Sequence, residues 1–188
     1  MKQIVPSFFS SSSLLIYRLL AIFLCISPTQ STFSVKIGND VLSQICAQTE
    51  DRNSCLKALQ SNPRTASTDL YGLAQISINL ANATASETRT KIKSKLGQTT
   101  DPNLYDQYLK CLESYVNAVS KINYANGRWS IKDFLALEAA ASDCLIEINT
   151  CKGVTTPAWP FLPQQNDKSH LLCNIMSTVA KRLAAGNN

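Results

Sequence analysis

DPNLYDQYLKCLESYVNAVSKIN, residues 101–123, combines a helix start, a continuous apolar face and a cysteine set within that face. Asp101 can accept hydrogen bonds from the free N–H groups of a first helical turn, and Pro102 suits the first helical position because it lacks an N–H. Apolar residues then recur at spacings of three and four as far as Ile122, so they lie on one stripe. Such a stripe requires partner helices, and the stretch therefore predicts the central helix of a helical bundle.

The first 31 residues have the composition of a secretory signal peptide. Residues 14–26 are apolar except for Arg18, and small or polar residues follow, as they do before a signal-peptidase site. The apolar core after Arg18 is too short to span a bilayer, which argues against a membrane anchor. We therefore expect a signal peptide at 1–31 and a single secreted domain at 32–188, with no membrane attachment once the signal is removed.

The charge balance of the chain is mild. The formal net charge of +5 falls to about +3 when Lys2 and Arg18 leave with the signal. No run of basic residues with interleaved aromatics occurs, which argues against nucleic-acid binding. His170 is the single histidine and no C-x-x-C pair occurs, so neither a metal site nor a cofactor site is expected.

The remaining elements all read as helices. Residues 37–62 predict a short helical hairpin, and residues 67–186 predict four antiparallel helices. The first of these covers 67–96, capped at Ser67 or Thr68 and ended by Gly97. The fold class expected is therefore all-α: a disulfide-stapled up-down four-helix bundle preceded by an N-terminal hairpin.

Two connections are predicted in the second half of the chain. Residues 124–129, with Asn126-Gly127 as the breaker, predict a turn, and Ser130 with Asp133 predicts the next helix start. Residues 153–166 contain three prolines and predict an ordered loop whose aromatic rings cap the bundle, before a final helix that begins at Asp167.

Six of the seven cysteines lie beyond the signal, which predicts disulfides in a secreted protein. They are Cys46, Cys55, Cys111, Cys144, Cys151 and Cys173. Cys46 and Cys55 lie on the two arms of the hairpin, where a bridge would staple an element with little apolar surface. Cys111 and Cys144 are expected to meet between adjacent antiparallel helices, in a bridge that stabilises the fold by about 3 to 4 kcal/mol. Cys151 and Cys173, on either side of the proline-rich loop, form the third expected pair.

Asn82-Ala83-Thr84 is an acceptor triplet for N-glycosylation. Asn82 is therefore a predicted glycosylation site, provided that its side chain faces solvent.

The chain also resembles a known family. A cysteine hairpin is followed by TASTDLYGLAQISINLA (65–81), LKCLESYVNAVSKI (109–122), ALEAAASDCL (136–145) and LLCNIMSTVAKRL (171–183). This order resembles the plant pectin methylesterase inhibitor and invertase inhibitor family over nearly the whole mature chain. The resemblance implies the pairs Cys46–Cys55 and Cys111–Cys144, and leaves Cys151 and Cys173 outside the shared four.

The resemblance also implies a function. Members of that family block the active site of a secreted plant carbohydrate-active enzyme and perform no chemistry of their own. The sequence agrees, since it has no G-x-S-x-G turn, no phosphate loop and no metal spacing, so no catalytic residue is expected. The implied partner is pectin methylesterase or acid invertase, and the implied location is the apoplast, with the vacuole as the alternative. We expect the inhibitor to be a monomer.

The target is predicted from one loop. Inhibitors of the invertase branch are thought to use a Pro-Lys-Phe loop between the second and third bundle helices, where this chain has Asn126-Gly127-Arg128-Trp129. The departure favours pectin methylesterase over invertase. Arg128 and Trp129 still combine a cation with an aromatic ring and are candidate target-binding residues. A secreted lipid-binding helical protein and a cell-wall recognition protein remain the alternatives from other classes.

Overall fold

The computed structural model describes residues 38–154 and 159–186. The predicted signal peptide lies outside these ranges. Within them every secondary-structure element is a helix, which confirms the all-α class. Six α-helices and one 3-10 helix follow in order: α1 Asn39–Cys46, α2 Arg52–Gln60, a 3-10 helix Pro63–Ser67, α3 Leu70–Leu96, α4 Pro102–Ser130, α5 Phe134–Lys152 and α6 Phe161–Gly186. None of the described helices is long and apolar enough to span a bilayer.

Helices α3 to α6 form an up-down four-helix bundle in which each helix packs against two neighbours, and α1 and α2 form a hairpin against α6. The apolar stripe predicted that residues 101–123 form the central helix of the bundle, but a different helix is the most enclosed one. That helix is α6, whose residues 172–180 are buried almost without interruption. The reason is the hairpin, which covers the side of α6 that the bundle leaves open.

Aspartates cap four of the six helices. Asp101 accepts hydrogen bonds from the backbone N–H groups of Asn103 and Leu104, and Pro102 occupies the first turn, so the predicted start of α4 is confirmed. The predicted start of α3 is off by one or two residues, because Asp69, rather than Ser67 or Thr68, caps it by accepting from Gly72.

The turn between α4 and α5 lies later than predicted. The helix α4 continues through Asn126-Gly127 to Ser130, and Asp133, not Ser130, caps α5 by accepting from Ala136. A glycine inside a helix costs only about 1 kcal/mol, which the packing of the last two turns of α4 outweighs. The actual reversal occupies residues 131–133, where Lys132 has a φ of 59°.

The final helix begins earlier than predicted, at Phe161 rather than Asp167. Pro163 lies in its first turn. Backbone N–H groups there have no acceptor within the helix, so the lack of an N–H in proline costs no hydrogen bond. Just before it, Trp159 is buried and stacks on Tyr108 with ring centroids 3.2 Å apart. The predicted aromatic cap is therefore confirmed.

The disulfide between Cys46 and Cys55 is confirmed, but the other two expected pairs are wrong. Cys111 pairs with Cys151, and Cys144 pairs with Cys173. The register of the α4–α5 hairpin explains the difference. Cys111 lies 19 residues before the end of α4, and Cys151 lies 17 residues after the start of α5, so the two are level. Cys144 precedes Cys151 by seven residues, so it lies about 10 Å from the level of Cys111 along the helix axis.

Candidate functional site

The single histidine lies in a groove between the hairpin and α6. Nδ1 of His170 is 3.8 Å from a carboxylate oxygen of Glu50. Partial burial, together with the nearby charge of Lys152, lowers the pKa of His170 below its usual value. Within residues 38–154 and 159–186, no three His, Cys, Asp or Glu side chains come together as metal ligands could.

The groove around His170 has a volume of about 770 Å³ and is open to solvent. Most of the residues that line it are polar or charged, among them Lys57, Gln164 and Lys168. An acyl chain needs an apolar cavity, so this groove does not suit the lipid-binding alternative.

A different surface stands out on the outside of α3 and α4, where two neighbouring stripes carry no charge until Arg89 and Lys93 continue the stripe of α3 towards its C-terminal end. The exposed or half-buried positions of α3 recur at spacings of four and three, and those of α4 do the same beside them. We call this surface the amide face, and it consists of Gln75, Asn79, Asn82, Ser86, Thr90, Val116, Ser120, Asn123, Asn126 and Gly127.

Hydrogen bonds tie the two halves of the amide face together. Nε2 of Gln75 donates to Oδ1 of Asn126 across the helix pair at 3.0 Å. One end of the face is thereby held by an amide pair. Further along, Nδ2 of Asn82 donates to Oδ1 of Asn123 at 2.9 Å, and Oγ of Ser86 donates to Oδ1 of Asn82. These bonds fix side chains that would otherwise be mobile on an exposed helix surface, and so reduce the entropy lost when a partner binds.

The opposite flank of α4 has a different chemistry. There Lys121 forms an ion pair of 2.8 Å with Asp143, and Asn117 approaches Glu147 at 3.4 Å. Charged residues are depleted at the centre of protein interfaces, since an unpaired charge loses its hydration there. The amide face is therefore the better candidate for a protein-binding surface of this helix pair.

The predicted target-binding residues Arg128 and Trp129 lie on the last turn of α4, not in a loop. Trp129 is half-buried and stacks on Tyr71 at 4.6 Å, while its Nε1 donates to the carbonyl oxygen of Tyr71. The hydroxyl of Tyr71 donates in return to the carbonyl oxygen of Trp129. These contacts join α3 to α4, so the indole has a structural role.

Arg128 remains accessible. Its guanidinium lies 4.5 Å from the ring centre of Tyr124 and 3.7 Å from a carboxylate oxygen of Asp133. Tyr124, Ile131 and Leu135 are 50%, 65% and 70% exposed. We call this second surface the turn end, and it consists of Tyr124, Arg128, Ile131 and Leu135.

Sequence reasoning located Arg128 but missed the amide face. The signal was present, since residues 75, 79, 82 and 86 are uncharged polar residues at helical spacing on one side of α3. The supposed turn at 124–129 removed Asn126 and Gly127 from the matching stripe of α4, and the pairing of the two stripes depends on the register of the helices.

The protein is thus a disulfide-linked helical bundle with an ordered, uncharged outer face. Comparison with known proteins identifies its class. The family described as "Plant invertase/pectin methylesterase inhibitor" matches residues 40–175, and the chain belongs to this family.

Relatives agree with this membership. A pectinesterase inhibitor from Actinidia deliciosa is 36% identical over 92% of this chain and 95% of its own length. A relative from Platanus orientalis that is named for invertase inhibition is 28% identical over 79% of this chain and 93% of its own. The crystal structure of a mutant form of a pectin methylesterase inhibitor from Arabidopsis has the same fold, with a TM-score of 0.68 at 22% identity over 74% of this chain and 95% of that one.

Proteins of this family are extracellular inhibitors of plant enzymes, so the protein is an enzyme inhibitor and not itself an enzyme. Its partner is a plant pectin methylesterase or invertase. The expected role as an inhibitor of a plant enzyme and the resemblance to the family are thereby confirmed.

Proposed function

We propose that the protein inhibits a plant pectin methylesterase, and that the amide face covers the entrance to the active site of the enzyme. The relative from Actinidia deliciosa, which is named a pectinesterase inhibitor, supports this choice of target because it matches nearly the full length of the chain. The complex forms in the apoplast, with one inhibitor molecule for each enzyme molecule.

The chemistry of the amide face suits such a target. A pectin methylesterase binds a sugar chain whose carboxylates are masked as methyl esters, so its cleft must accommodate neutral hydrogen-bonding groups. Amide and hydroxyl side chains can pair with such a cleft without burying an unpaired charge. Their mutual hydrogen bonds, such as that between Asn82 and Asn123, hold them ready for contact. The absence of charge from this face is the observation that carries the proposal.

A pair of arginine substitutions tests the proposal. Ser120→Arg places a cation at the centre of the amide face, and Thr150→Arg adds the same charge at an exposed position of α5. We expect Ser120→Arg to raise the concentration needed for half-inhibition of purified plant pectin methylesterase by about 100-fold or more, the cost of burying an unpaired charge. Thr150→Arg should inhibit like the wild type. Equal inhibition by both variants would place the contact elsewhere.

Acid invertase is the second candidate target, and the turn end favours it. Arginine and aromatic residues are enriched at binding hot spots, and Arg128 lies over the exposed ring of Tyr124 beside two exposed aliphatic side chains. If invertase is the target, Arg128→Ala should abolish inhibition of invertase while Ser120→Arg leaves it intact. Trp129→Phe would lower stability in either case, because it breaks the bond to Tyr71.

A further inference from the structure

The acceptor triplet Asn82-Ala83-Thr84 lies within the amide face. Asn82 belongs to the face, and its Nδ2 atom, the atom that receives a glycan, points across to Asn123. Thr84, the third residue of the triplet, is buried at 5% exposure. The modification site and the proposed contact surface therefore share the same side chain.

We propose that N-glycosylation of Asn82 controls the inhibitor by covering the amide face, so that the glycosylated form does not bind the target enzyme. This inference rests on the proposed function, because it takes the amide face to be the inhibitory surface. In the reaction, Nδ2 of Asn82 forms a bond to the anomeric carbon of a polyprenyl-diphosphate-linked oligosaccharide. The bond from that carbon to the diphosphate oxygen breaks, the amide loses one proton, and the lipid diphosphate leaves.

The structure dictates when the modification takes place. In the folded protein Asn82 is half-buried, its Nδ2 donates to Asn123 and its Oδ1 accepts from Ser86. The hydroxyl-bearing side chain of Thr84 faces the core. A transferring enzyme needs both residues in an extended, accessible chain, so the glycan is added during secretion, before α3 forms.

The folded state can accept the product. An asparagine amide carries two N–H groups, and glycosylation replaces one of them. The remaining N–H can keep the bond to Asn123, so the bundle folds as before while the glycan projects from the face. The modification therefore alters binding without altering the fold.

The test is expression of the full chain in a plant secretory host, followed by intact-mass analysis and titration against pectin methylesterase. We expect wild type to be secreted in a glycosylated and an unglycosylated form. The glycosylated form should inhibit at least about 100-fold more weakly than the unglycosylated form and than Thr84→Val, which lacks the acceptor triplet but keeps Asn82. Val is close in shape to Thr, so Thr84→Val is expected to fold. Thermal unfolding of both forms checks that they differ in binding and not in structure.

A relocated glycan provides the matched control. Tyr105→Thr combined with Thr84→Val creates a new triplet at Asn103, an exposed residue in the first turn of α4. Asn103 lies 20 residues from Asn123, about 30 Å along the helix. This variant should carry a glycan and still inhibit.

Three outcomes would overturn the inference: a wild type without a glycan, a glycosylated wild type that inhibits as well as Thr84→Val, or equal loss of inhibition from a glycan at Asn103. Failure of the unglycosylated Thr84→Val to inhibit pectin methylesterase would instead contradict the proposed function.

Discussion

Tyr115 is a buried polar residue of α4 whose side chain reaches across the bundle to the diagonally opposite helix α6. Its hydroxyl donates to Oδ1 of Asn166 at 2.8 Å and lies 3.2 Å from Oγ of Ser169. Tyr115→Phe would leave these two buried groups without their partner, and we expect it to lower the free energy of unfolding by about 1 to 3 kcal/mol. Chemical denaturation at neutral pH measures this loss. Tyr105→Phe, at a side chain 41% exposed, is the matched control and should change little.

The same hydroxyl predicts an alkaline effect. Burial raises the pKa of Tyr115 to about 12, whereas in the unfolded chain its pKa is near the ordinary tyrosine value of 10.0. The contribution of this hydroxyl to the free energy of unfolding is therefore complete below pH 10. It is lost as the pH rises from 10 through 12, because the unfolded state releases the proton first. Across this pH range the free energy of unfolding of the wild type should fall by up to roughly 3 kcal/mol more than that of Tyr115→Phe. Parallel losses in the two proteins would contradict the burial of this hydroxyl.

At the scale of elements, the reversal between α4 and α5 places a lysine where a glycine is usual. The N–H of Asp133 bonds to the carbonyl of Arg128 and that of Lys132 to the carbonyl of Trp129, which is the Schellman arrangement. Lys132 occupies the left-handed position with a φ of 59°. Lys132→Gly should raise the free energy of unfolding by about 0.5 to 1 kcal/mol, because it removes the steric cost of a side chain there. Lys132→Ala removes the lysine side chain but keeps the strain, so an equal gain from both variants would refute this explanation.

The disulfides give a prediction that peptide mapping can check. Glu147 lies between Cys144 and Cys151, and Lys152 lies between Cys151 and Cys173, so cleavage after both residues without reduction puts these three cysteines on separate peptides. We expect peptides that link Cys111 to Cys151 and Cys144 to Cys173. Replacing Cys111 and Cys151 together by serine should cost about 4 kcal/mol, since that bridge closes a loop of 40 residues. A peptide linking Cys111 to Cys144 would contradict the register of α4 and α5.

Local patterns predicted the elements well where a residue type has one strong structural preference. Asp101 before Pro102 marked the start of α4, and Gly97 marked the end of α3. Asn126-Gly127 was misleading because the preference of glycine for turns is weak beside the packing of a long helix. The true reversal has no glycine, so its position was not visible as a pattern. The two wrong disulfide pairs follow from that one error, because pairing depends on where the hairpin turns.

The amide face could not be recognised from either helix alone. Each stripe taken singly is an ordinary polar surface, and only the cross-helix bonds between Gln75 and Asn126 and between Asn82 and Asn123 join the two into one uncharged face. Those bonds depend on the antiparallel register of α3 and α4, which sequence periodicity does not determine. At the scale of the whole molecule, the bundle therefore creates a site that no segment contains.

An uncharged contact surface has a kinetic consequence for the whole inhibitor. Salt screens charges over about 10 Å at 0.1 M, and charges at the rim of an interface act mainly on the rate of association. The dissociation rate of a complex held by the amide face should therefore change by less than about threefold between 0.05 and 0.5 M salt. Surface plasmon resonance with immobilised pectin methylesterase measures it. Thr150→Arg should leave the dissociation rate unchanged, whereas Ser120→Arg should speed dissociation. A dissociation rate that rises steeply with salt, and that Arg128→Ala makes insensitive to salt, would assign the contact to the turn end instead.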